Sequence, residues 1–136
     1  MKKFIYTIIL ALSLVSYAHA AESDSCGCMK KTHDAIKNAY QNIEQENNLI
    51  WEEADIILKS ASAPVDAKTA AKQEQEEITK EKEAMKKHLD LIKKGMDDNA
   101  HMVMMEGYNE VLKQHSSLLD NHNKLYTKFN KKADNN

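Results

Sequence analysis

From His33 onward the core-type positions of the chain fall at alternating steps of three and four. His33, Ile36, Tyr40, Ile43, Asn47, Ile50, Ala54, Ile57 and Ala61 form one such run, the mark of a helix that buries a single stripe. Ala71, Gln75, Ile78, Lys82, Met85, Leu89, Ile92 and Met96 repeat the rhythm. Met104, Tyr108, Val111, His115, Leu118, His122, Leu125 and Phe129 repeat it again. Strands would need period-two alternation and turn dipeptides, and the chain has neither. The pattern predicts an all-α protein.

Breakers divide the stripes into thirds. Pro64 suits the first turn of a helix, with Asp66 near its positive end, and Gly95 follows Lys93 and Lys94 as a C-terminal cap. Asp97, Asp98 and Asn99 offer an N-cap for the last segment. The predicted helices are 28–61, 64–95 and 99–131, within a bundle over 28–132 and ahead of a disordered tail, 133–136. Helices of matched length joined by short turns predict an antiparallel, up-down-up three-helix bundle with coiled-coil-like packing. Isolated helices are marginal in water, so the stripes must cover one another.

The first twenty residues follow a different rule. Lys2 and Lys3 precede an apolar run from Phe4 to Val15, and Ala18-His19-Ala20 is a small-x-small site, the pattern of a cleaved secretory signal peptide. The run is shorter than the ~18–20 residues of a spanning helix. Export to a Gram-negative periplasm is the expectation, with no stable membrane insertion after cleavage. Cleavage after Ala20 leaves 116 of the 136 residues, enough for one domain. It removes two of the 19 basic residues and none of the 21 acidic ones, so the balance becomes −4. The chain has no arginine, and an acidic chain without bidentate guanidinium groups is poorly suited to phosphate backbones. Nucleic acid is not an expected partner.

Candidate chemistry gathers at one end. In the predicted topology the start of helix one, the end of helix two and the start of helix three share a pole. That pole receives Cys26, Cys28, Met29, His33, His101, Met102, Met104 and Met105. Thiolate, thioether and imidazole ligands favour soft ions such as Cu(I), although methionine is also a common filler of helical cores. Zinc-site spacings are absent. Cys26 and Cys28 alternatively form a strained, easily reduced disulfide or bridge two chains, in a segment (21–27) expected to be mobile. His115 and His122, seven residues apart on the third stripe, read as a structural polar layer shared with Asn47. The many carboxylates read as solvated faces, "EQEEITKEKE" above all.

No nucleophile elbow or phosphate-binding glycine loop is present, and a non-enzymatic protein is predicted. The first half of helix two offers few apolar residues to its neighbours. Trp51, Ile57, Leu58, Leu118, Leu119 and Tyr126 therefore stand out as an apolar flank for a second copy or a partner protein. The leading functional expectation is a self-associating protein-binding or assembly module, and the alternative is a periplasmic copper-binding protein.

Overall fold

The computed structural model describes residues 28–134. Residues 1–20, where a signal peptide is expected, the 21–27 segment with Cys26, and the last two residues lie outside the described residues. The described chain is all-helical: α1 (Cys28–Lys59), α2 (Val65–Lys94) and α3 (Asp98–Asp134). No helix among the described residues is long and apolar enough to cross a membrane.

The helix ends follow from local chemistry. Pro64, extended at φ −62° and ψ 156°, stands just ahead of α2, and its carbonyl accepts from Lys68 N at 3.1 Å. Proline has no N–H to lose there, so the start of the helix costs little. Gly95 ends α2 at φ 84°, a left-handed value that a side chain would resist. Asp97 caps α3: its Oδ1 accepts from Ala100 N at 2.8 Å, which satisfies one of the amides a helix start leaves free.

Cross-helix partners set the register. As α1 ascends, its partners on α2 descend: Tyr40 meets His88, Asn47 meets Glu81, and the Trp51 carbonyl accepts from Gln75. Its partners on α3 ascend with it, from His33 with His101 to Glu53 with His122. One end, the head, thus holds the starts of α1 and α3 with the end of α2. The other end is the trunk.

The core consists of three apolar blocks. The head block holds Ile36, Tyr40, Ile43, Met85, Met104, Met105, Tyr108, Val111 and Leu112. A middle block joins Ile50, Ile78, Leu118 and Leu119. The end block joins Ala54, Ile57, Ala63, Ala71 and Tyr126, with Leu58, Leu125 and Phe129 against it. A fully covered isoleucine is worth about 2 kcal/mol, so each block is a substantial contribution.

This arrangement corrects the expected flank. Ile57, Leu118, Leu119 and Tyr126 are buried within the chain and Leu58 is half-buried, while Trp51 alone of the six is exposed. The middle and end blocks close because α2 brings Ile78 and Ala71 to them. Polar side chains of α2 fill the remaining positions between helices, where the flank had been expected to stay bare.

The stripe of α2 is corrected as well. Its buried residues are Ala71, Glu74, Ile78, Glu81 and Met85. Lys82 is exposed and Gln75 half-buried, and the glutamates one position earlier take the core-facing places. Part of "EQEEITKEKE" is therefore core and not a solvated face.

Candidate functional site

A polar seam runs between the three helices at heptad spacing. On α3 it is His101, Tyr108, His115 and His122; on α2 it is His88, Glu81 and Glu74. α1 contributes His33, Tyr40, then Glu46 with Asn47, and Glu53. Seven residues are about two helical turns, so side chains so spaced return to one face of a helix at successive levels.

At the head, His33 Nε2 and His101 Nδ1 lie 3.1 Å apart, one donating and the other accepting. Their rings are 5.1 Å apart, centroid to centroid. His101 is buried and His33 half-buried. Burial first, and then the neighbouring His101, push the His33 imidazole below its ordinary pKa. Deeper in the head, Tyr40 OH lies 2.6 Å from His88 Nδ1. Burial pushes the Tyr40 phenol up and the His88 imidazole down, so the proton stays on oxygen and Tyr40 donates. His88 also lies hard against α3. A Cβ on Gly107 would come within 2.7 Å of its Nε2, so glycine is what lets the ring approach.

In the trunk the seam changes character. His115 Nδ1 lies 2.8 Å from Glu81 Oε1 and its Nε2 3.6 Å from Glu46 Oε2. His122 Nδ1 lies 2.6 Å from Glu74 Oε2 and its Nε2 3.1 Å from Glu53 Oε1. Each layer takes one carboxylate from α1, one from α2 and the imidazole from α3. All six side chains are buried. Burial alone would lower both imidazoles. The hydrogen bonds and charges of the paired glutamates outweigh it and carry each up to about 9. Asn47 donates to Glu81 at 3.5 Å. It therefore belongs with the His115 layer. The single polar layer read from the stripe is two separate layers, and they are what divides the core into blocks.

The residues singled out for the head pole separate in the structure. His33 and His101 are brought together. Met104 and Met105 are buried in the head block, Met29 is half-buried, and Met102 is 55% exposed. Cys28 is the first residue of α1, and Cys26 lies outside the described residues. Among the described residues no group of three or more His, Cys, Asp or Glu side chains is arranged to hold a metal ion.

The buried carboxylates were missed from sequence. The available signal was the heptad spacing of Glu74, Glu81 and His88 facing that of His101, His115 and His122. Compared with known protein families, curated proteins and solved structures, the chain finds no match.

Proposed function

We propose that the chain is an exported, non-enzymatic helical bundle that binds a soft metal ion, Cu(I) first of all, at its head pole. The observation that carries this is the 3.1 Å approach of His33 Nε2 to His101 Nδ1 across α1 and α3. Met29 lies four residues before His33, and Met105 four residues after His101. Residues four apart share a helix face, so Met29 and Met105 are the thioethers on the helix faces that carry His33 and His101. Two thioethers with two imidazoles are a donor set suited to Cu(I). Cys26, Cys28 and Met102 are the further soft donors that the sequence supplies near this pole. An antiparallel, up-down-up course, supported by the order of the cross-helix partners, is the topology that assembles such a pole. Export rests on the leader pattern of residues 1–20 and points to a Gram-negative periplasm.

The test is competition between the reduced mature chain and a Cu(I) chelator of known affinity. One tightly bound ion is expected, lost when His33→Asn and His101→Asn are combined and weakened by Met29→Leu. A chain that takes no copper from the chelator ends this reading.

A second reading, a self-associating protein-binding module, rests on Trp51, which is 40% exposed, and on Ile56 and Val65, exposed by 44% and 81% toward the trunk end. Light scattering in reducing and oxidising buffer decides it. A monomer in both removes it.

A further inference from the structure

Each trunk layer sets one imidazole between two carboxylates on different helices, and both ring nitrogens face oxygen. The contacts are 2.8 and 3.6 Å around His115 and 2.6 and 3.1 Å around His122. A neutral imidazole has a single N–H. It can serve one carboxylate and must turn a lone pair toward the other. Only the imidazolium, with two N–H groups, serves both. Among the described residues no lysine forms a salt bridge with Glu46, Glu53, Glu74 or Glu81, so the imidazolium is the cation these carboxylates have. Glu46 Oε2, His115 Nε2 and Glu53 Oε2 are buried without a hydrogen bond, so the 3.6 Å approach of His115 to Glu46 is held by charge alone and the α1 side of each layer has little to spare.

We propose that the two layers form a proton-held clasp: one proton on each of His115 and His122 joins α3 to α1 as well as to α2 in the trunk. Loss of those protons in alkaline solution loosens the trunk while the head stays packed.

The shorter contact of each ring is to α2 and the longer to α1. Deprotonation therefore gives up the α1 contact first, because the single remaining hydrogen stays where the hydrogen bond is shorter. The surroundings do not replace the lost charge. His115 faces Glu46 from α1 and Glu81 from α2, with Asn47 on Glu81. His122 faces Glu53 from α1 and Glu74 from α2, and stacks on Tyr126 of its own helix at 5.8 Å. Glu77, exposed on α2 between the two layers, is pushed up by partial desolvation and then by Glu74 and Glu81. A groove of about 410 Å³ between α2 and α3 reaches Glu81 and is lined by Lys80, Glu110 and Lys113. Water and hydroxide thus have a route to the first layer.

The direction follows from linkage. Both imidazoles are raised on folding, from 6.5 to about 9, so their contribution to stability is complete below pH 6.5, and the clasp itself opens as pH rises through about 9. The head block contains no such pair and keeps α1, α2 and α3 together.

Hydrogen exchange of the full chain at pH 7 and pH 10, corrected for the intrinsic rate, tests the clasp. Protection in the trunk stretch of α3, residues 115–126, is expected to fall at least about tenfold more than in residues 104–111. The double variant Glu46→Gln with Glu53→Gln supplies an amide that can donate to a neutral Nε2, so its trunk should lose less than about threefold. An equal loss in head and trunk, or an unchanged trunk, overturns the proposal. Should the variant fail to fold, the comparison within the unaltered chain decides alone.

Discussion

His33 and His88 in the head, and His115 and His122 in the trunk, occupy the same heptad seam, yet their chemistry is opposite. The head imidazoles face another imidazole and a phenol, and burial pushes both down. The trunk imidazoles are more deeply buried, and each is carried up to about 9 by two glutamates. Burial alone therefore does not decide the charge of a core histidine. The partner does, because an adjacent carboxylate stabilises the imidazolium by more than the lost water destabilises it. The head is left with imidazoles held below their ordinary pKa, the trunk with imidazoles held above it.

The largest expected effect breaks a trunk layer. His122→Leu leaves Glu53 and Glu74 buried without their cation, and chemical denaturation at pH 7 should register a loss of about 3–5 kcal/mol. Replacing the whole layer by leucine, at Glu53, Glu74 and His122 together, should recover most or all of that loss, since an apolar layer carries no desolvation cost. If the triple variant were as unstable as the single one, the charged layer would be needed for more than the pairing of its own charges.

Next in size is the pH dependence, which has opposite sign in the two regions. The trunk contribution is complete below pH 6.5 and is lost through about 9, on the order of 3 kcal/mol per layer. His33 and His88 are lowered on folding, so their contribution is present above pH 6.5 and lost as pH falls through their folded values. Denaturation midpoints from pH 5 to 10 should therefore trace a dome, and His115→Gln with His122→Gln should flatten its alkaline side only.

The head should respond more weakly. Tyr40→Phe removes the donor to His88 and should cost about 1 kcal/mol by denaturation, with the phenyl ring still packed. Smaller still is Gly107→Ala. The new Cβ would press on the His88 ring, but alanine gains about 1 kcal/mol over glycine within a helix. Net stability should move by less than about 1 kcal/mol, while the Tyr40–His88 contact should disappear from NMR spectra.

The same contrast explains what could be read from sequence. The stripes of α1 and α3 are strongly apolar between their polar steps, so Ile36, Ile43, Ile50, Val111 and Leu118 mark the buried face without ambiguity. On α2 the choice lies between Glu74 and Gln75, and between Glu81 and Lys82, and no apolar residue settles it. Hydrophobic periodicity cannot distinguish a buried glutamate from an exposed one. The partner that permits burial is a histidine about 34 to 48 residues away on another helix. At the head pole the approach of His33 to His101 follows from helix length and turn position. Which of the pole's methionines serve as core was not legible, since Met104 and Met105 are covered by the head block while Met102 is 55% exposed. The apolar flank failed for a related reason: counting the apolar residues of α2 omits the volume that its glutamates fill inside the bundle.

Partners along one seam set opposite protonation states, and nitrogen NMR of the imidazole rings at pH 7.5 reads them ring by ring. Doubly protonated rings are expected for His115 and His122, with both ring N–H signals present, and singly protonated rings for His33 and His88. Four neutral rings at that pH, titrating together near 6.5, would contradict this pattern.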